Sequence, residues 1–321
     1  MKSSCDDMQT AKRCIETERL AFDLTSGEQR FFVSTKQSWL CCARRDPEKT
    51  HAAGAVLFVH GAASNGSRWE EFVEKTRLGN SWTLLRLDLR RHGASEGLRP
   101  ATLERHADDL AAVLETAGVG SAFLVGHSLG AQISLAFARR HPDLLRGLVL
   151  IDPLIDAALT EKARNYSKKK IWLSLLEFGG RALDAIGFSR KLPKYSLRHA
   201  DEVARQKLAE GGSALAAFVR EYSSPWTDLK FMHAADYARD LLEVARPTGD
   251  VPPRLFNCPV LVMASRSGVY TECDKLEAWT QSFGGDFAVL DCVHWPLTEC
   301  PSEIDVLLDE WFAKCAICAE S

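Results

Sequence analysis

The chain has 321 residues, is 46% hydrophobic and 26% charged, and carries a formal net charge of −3. That balance fits one large core, alone or with a smaller appendage, better than two equal domains. No basic stripe dominates the chain and no apolar run reaches transmembrane length, so neither nucleic acid nor an integral membrane segment is expected.

In chain order, residues 1–25 read as a polar N-terminal extension without the apolar core of a signal peptide. The cytoplasm is therefore the expected location. There the ten cysteines would be reduced and would pack as small apolar side chains. Two strand-like runs follow, Arg30–Thr35 and Trp39–Ala43. Six short, fully apolar runs come next: Ala55–Val59, Trp82–Leu87, Ala122–Val125, Leu148–Ile151, Pro259–Met263 and Phe287–Leu290. Runs of this length suit strands buried on both faces. Helical patterns over Arg68–Thr76, Leu103–Ala117, Ala131–Arg140, Glu272–Phe283 and Ser302–Ala316 separate or follow them. The alternation predicts an α/β class fold, doubly wound around a mostly parallel, eight-stranded sheet. It breaks once, between about Leu154 and Phe256, where only amphipathic helical stretches occur. The expected organisation is a core of 26–153 and 254–321 with a helical cap, 154–253, inserted over the sheet's carboxyl edge, where such folds bind ligands.

Gly126-His127-Ser128-Leu129-Gly130 follows a strand and opens a helix. In that setting G-x-S-x-G makes a nucleophile elbow, a tight turn that lifts the Ser128 hydroxyl above the sheet. A side chain at either glycine would strike the neighbouring strand or helix. At the end of the Ala55–Val59 run, His60-Gly61-Ala62-Ala63 offers the Ala62 amide, which with the Leu129 amide can hold a developing oxyanion. His60 itself reads as a residue that shapes the turn. His294 follows the last strand, and Ser-then-late-His is the chain order of this arrangement.

HGAASNGSRW, DLRRHGAS, GHSLGA, LVLIDP and VHWPLTECP, in that order, resemble the α/β-hydrolase superfamily, in its esterase and lipase-like branch. The resemblance covers roughly residues 28–152 and 254–316. It implies a serine hydrolase with Ser128 as nucleophile, His294 as base, and no metal or cofactor. Serine at the elbow sets the chain apart from haloalkane dehalogenases and epoxide hydrolases, which need Asp there, and from dienelactone hydrolases, which need Cys.

One element departs from the family pattern. The triad acid usually follows the seventh strand, where this chain has Met263-Ala264-Ser265-Arg266-Ser267-Gly268, with Gly268 at the acid's position. Asp152, ending the sixth strand, is the first choice, because some relatives carry their acid there. Glu272 and Asp274 are the alternatives, as is a dyad assisted by water, while Asp291 is too close to His294 in sequence to reach around the ring.

Within the first half of the insertion, residues 161–198 hold ten Lys and Arg against three acidic residues. Such an excess suits a solvated helix face, an anionic substrate or an acidic membrane surface. Trp172, Phe178, Trp226 and Phe231 are expected on an apolar underside, forming a substrate pocket with His127 and Trp295. The expected activity is cleavage of a carboxylic ester of an apolar acyl or aromatic substrate. Thioester, lactone, amide and C–C bond hydrolysis are open to the same groups, as is a non-catalytic ligand-binding role. Nothing in the sequence fixes an oligomeric state.

Overall fold

The computed structural model describes residues 13–15, 17–48, 52–166, 170–188, 190–210 and 213–320. The strands are β1 Glu28–Ser34, β2 Ser38–Arg45, β3 Gly54–Val59, β4 Trp82–Leu87, β5 Glu96–Gly97, β6 Ala122–His127, β7 Leu145–Ile151, β8 Val260–Ser265 and β9 Asp286–Leu290. They form one sheet in the order β1-β2-β4-β3-β6-β7-β8-β9, with the two-residue β5 pairing β2. From β4 to β9 the pairing is parallel, and β1 and β2 join it antiparallel. The eight expected strands are all present. The ninth, β5, is too short and too polar to leave an apolar signature.

Helices of the first half are α1 Glu70–Lys75, α2 Leu103–Thr116, α3 Leu129–Arg140, α4 Glu161–Tyr166 and α5 Lys170–Ala185. Those of the second are α6 Leu197–Ala209, α7 Ala214–Tyr222, α8 Pro225–Asp228, α9 Ala234–Val244, α10 Cys273–Gln281, α11 Pro296–Glu299 and α12 Pro301–Glu320. On one face of the sheet Leu110 and Val113 of α2, Ile133 and Phe137 of α3 and Leu276 of α10 bury Leu57, Leu124, Leu150 and Val262. On the other, Phe72 of α1 and Ile304, Leu308, Trp311 and Phe312 of α12 cover Phe58, Trp82, Phe123 and Met263. Burial on both faces is why the strands read as unbroken apolar runs.

Between β7 and β8 the described residues form helices α4 to α9 and no strand. Of the residues read as a polar extension, 1–12 and 16 lie outside the described residues. The remainder is tied to the core: Ala21 and Phe22 pack on Cys41, Ala43 and Ala94, and the Arg30 guanidinium donates to the Phe22 carbonyl at 2.7 Å. Cys14, Cys41, Cys42, Cys258, Cys273, Cys292, Cys300 and Cys315 are free thiols, with Cys41, Cys42 and Cys292 buried. Among the described residues no helix is long and apolar enough to cross a membrane.

Candidate active site

Strand β6 ends at His127, and the chain turns sharply at Ser128, whose φ of +53° is unusual for a residue with a Cβ. The turn is possible because both flanking glycines meet backbone. A Cβ on Gly126 would lie 2.4 Å from the Gly130 carbonyl oxygen, and one on Gly130 would lie 2.3 Å from that of Val59. Register holds the turn in place, since the Ser128 amide donates to the Ile151 carbonyl at 2.9 Å. Helix α3 starts at Leu129, so its first amides have no partner within the helix and face the turn.

Ala62 is half-buried in the loop after β3, opposite this turn. His60 fixes that loop: its Nδ1–H donates to the Gly61 carbonyl at 2.9 Å, and its Nε2 accepts the Leu89 amide at 3.0 Å. Those partners specify a neutral ring. Burial, then the neighbouring His92, holds its pKa far below the usual histidine range. Ala63, at φ +45°, gives its amide to Asp240 of α9 at 3.4 Å, and Ala62 lines the cavity.

His294 lies in the loop after β9. Its Nδ1–H donates to Asp152 Oδ2 at 3.0 Å, with both side chains buried. Asp152 follows β7 at φ +48°. Its Oδ1 accepts the Ser265 amide at 2.6 Å, and its Oδ2 also accepts the Ser265 hydroxyl. The Asp152 amide in turn donates to the Met263 carbonyl at 2.8 Å. Thus the stretch in which the family's usual acid is missing supplies the donors that orient Asp152. Glu272 instead pairs with Lys275 at 2.8 Å on the surface, and Gly268 turns the chain at φ +58°.

The backbone of the His294 loop is held by one carboxylate. Glu299 accepts the amides of Val293 at 2.9 Å, His294 at 3.1 Å and Trp295 at 2.9 Å. From the other side His127 donates its Nε2–H to the His294 carbonyl at 2.9 Å. Burial, then the adjacent His294, pulls His127 down to about 3, so this ring stays neutral. The Tyr270 ring stands edge-on to His294 at 4.6 Å. Sequence reasoning passed over Ser265, Glu299 and Tyr270. The first two act through backbone amides or on another side chain, and no residue pattern announces that.

Ser128 and His294 open into one cavity of about 980 Å³, between the carboxyl edge of the sheet and the helices inserted after β7. With Nδ1 committed to Asp152, Nε2 is the ring nitrogen left to accept a proton. No hydrogen bond joins Ser128 Oγ to the ring among the described residues. Such contacts often tighten only when substrate binds. Donor atoms of His127, Asp152 and His294 lie within 4.8 Å of one another, a spacing a metal could use. Here, however, three donors occupy the Asp152 oxygens and a carbonyl occupies His127 Nε2.

Of the residues expected to line a pocket, His127, Phe231 and Trp295 do so. Trp172, Phe178 and Trp226 do not: they are 73%, 73% and 79% exposed, on the outside of the insertion. Leu173 and Leu176 take their place on the cavity wall. The polar part of the wall includes Arg68, Lys170, Tyr195, Tyr222, Asp228 and Tyr237. Arg68 donates to both oxygens of Asp201 in α6 at 2.6 Å and to Thr298 at 2.7 Å, tying the insertion to the His294 loop. Burial pushes the Asp228 carboxyl up to about 7, against a hydrogen bond from Tyr237.

The sequence matches the alpha/beta hydrolase fold family over residues 54–299. It is 41% identical over 100 residues to a 2-(acetamidomethylene)succinate hydrolase of Mesorhizobium japonicum, covering 30% of this chain and 34% of that protein. The chain thus spans about a third of the length of this relative. It is 22% identical over 262 residues to ethanol acetyltransferase 1 of Kluyveromyces lactis, covering 79% of this chain and 71% of that one. An esterase from Thermogutta terrifontis has a similar fold, with a TM-score of 0.58 at 23% identity, over 89% of this chain and 98% of that one.

Proposed function

Because the chain belongs to the α/β-hydrolase family, we propose that it is a serine hydrolase cleaving a carboxylic ester through an acyl-enzyme. Ser128 is the nucleophile, His294 the base and Asp152 the acid. The observation that carries the reading is the 3.0 Å contact from His294 Nδ1 to Asp152, at the mouth of a turn that presents Ser128 to the same cavity.

In this mechanism Asp152 keeps the proton of His294 on Nδ1 and stabilises the imidazolium, leaving Nε2 to take the Ser128 proton. The serine oxygen attacks the carbonyl carbon. The amides of Ala62 and Leu129 receive the oxyanion, each contributing a few kcal/mol to the transition state. The imidazolium then protonates the leaving alkoxide. In the second half-reaction His294 deprotonates water, which releases the acid and restores Ser128. Residues 154–253 act as a cap that closes the cavity. Leu173, Leu176, Phe231 and Leu241 on its wall suit an apolar acyl or aromatic group.

A fluorophosphonate probe tests this directly, because it reports an activated serine whatever the natural substrate. The parent is expected to label covalently, and Ser128→Ala and His294→Ala to lose labelling while melting like the parent. A folded parent that does not label would overturn the proposal. Rates on p-nitrophenyl esters of increasing acyl length would then define the chain that the cavity accepts.

A further inference from the structure

Helix α5 buries its charged edge and exposes its apolar one. Glu177 is buried and pairs with Arg239, while Asp184 pairs with Arg99. Gly180 sits so close to α9 that an added Cβ would lie 2.9 Å from the Ala235 methyl. These contacts fix Leu173, Glu177, Gly180 and Asp184, three to four residues apart, as the inward face. Solvent therefore meets Ile171, Trp172, Leu175, Phe178 and Leu183, and then Ile186 and Phe188 beyond the helix end. Trp172, Phe178, Ile186 and Phe188 are between 70 and 76% exposed. A helix serving only as a cover would turn this ridge inward. A contiguous apolar surface of this kind marks an interaction site.

Charge selects the partner. Of the three acidic residues in 161–198, Glu177 and Asp184 are the two turned inward and compensated. What remains beside the exposed ridge is basic: Arg181 on α5, exposed although it reaches Glu177 at 3.7 Å, then the exposed Arg190 and Lys191. A second copy docking face to face would bring two such basic margins together, which is repulsive. An anionic bilayer satisfies both features at once. At 1.5 Å per residue α5 is about 24 Å long, enough to lie in the plane of a leaflet surface.

We propose that α5 and the residues just after it dock this protein on anionic lipid, with Trp172 and Phe178 at the headgroup–acyl boundary and the neighbouring cations on the phosphates. Leu173 and the part-exposed Leu176 of the same helix line the cavity, so docking sets the cavity wall against the lipid. The inference concerns the surface alone and does not depend on the catalytic reading.

Flotation with phosphatidylcholine vesicles, with and without about a third phosphatidylserine, tests it. The full chain is expected to float with the anionic vesicles and to be released by salt. Trp172→Ser combined with Phe178→Ser should weaken binding at least about tenfold. Arg190→Glu combined with Lys191→Glu should abolish the preference for phosphatidylserine at a cost of about fivefold per cation. Circular dichroism and melting temperature establish that both variants are folded. No binding to either vesicle would overturn the proposal, as would binding that neither variant changes. Sedimentation showing a dimer that Trp172→Ser and Phe178→Ser dissolve, without vesicle binding, would assign the ridge to a second copy instead.

Discussion

Replacing Asp152 by Asn changes one atom and tests the assignment of the acid. The carboxylate accepts three hydrogen bonds, from His294 Nδ1, the Ser265 hydroxyl and the Ser265 amide. Asn offers one oxygen. If it stays on the Ser265 amide, the side-chain NH2 faces Nδ1 and forces the imidazole proton onto Nε2. That tautomer cannot accept a proton from Ser128, and the loss is about four powers of ten, or about 5.4 kcal/mol at 1.36 kcal/mol per decade. If the amide flips, the buried Ser265 N–H loses its acceptor at about 1–3 kcal/mol and faces a second donor. Whichever arrangement wins, turnover of an activated ester should fall by about 10² to 10⁴, with fluorophosphonate labelling slowed in parallel. A folded Asp152→Asn protein within about threefold of the parent would refute the reasoning, and a collapse in Glu272→Gln would then place the acid at the N-cap of α10.

Three further outcomes are expected. Glu299→Gln retains one acceptor for three backbone amides, so kcat should fall about 10- to 100-fold with KM little changed, as steady-state kinetics on a small ester would show. Gly130→Ala would normally favour a helix, but here its Cβ meets the Val59 and His60 carbonyls at 2.3 and 2.7 Å. Urea unfolding should therefore show a loss of about 1–3 kcal/mol. Asp228 binds its proton more tightly when folded than unfolded, so its contribution to stability is present below the unfolded value and is lost as pH rises toward about 7. Asp228→Asn should accordingly melt close to the parent below about pH 4, rise progressively above it between about pH 4 and 7, and keep a constant gap beyond, whereas a constant gap across the whole range would contradict the shift.

The central strands were legible to within a few residues because burial on both faces forces apolar side chains at every position. Ser128 and the two glycines around it were legible for a similar reason, since the turn tolerates few alternatives. The acid was not. Whether His294 leans on Asp152 or Glu272 depends on how the loop after β9 folds back over β7 and β8, a tertiary fact that spacing along the chain does not carry. The orientation of α5 misled for a different reason. An apolar ridge is expected inward, but Arg239 and Arg99, 62 and 85 residues from their partners Glu177 and Asp184, hold the acidic edge there instead, so Trp172 and Phe178 face out.

The insertion between β7 and β8 leaves the polypeptide a long way to return. Because the two strands run parallel, it leaves the sheet at the carboxyl edge after Asp152 and re-enters at the opposite edge, at Val260. The helical segment is nevertheless closed at its base, since Thr248 donates its hydroxyl to the Leu154 carbonyl at 3.0 Å and its amide to the Asp156 carboxylate at 2.7 Å. It thus grows from a closed neck, and the entropy of bringing its ends together is offset there rather than by the helices themselves. Such a neck lets the appended region be lengthened, shortened or exchanged without moving Asp152. The wall of the cavity can then vary above a base plate whose geometry is set below it.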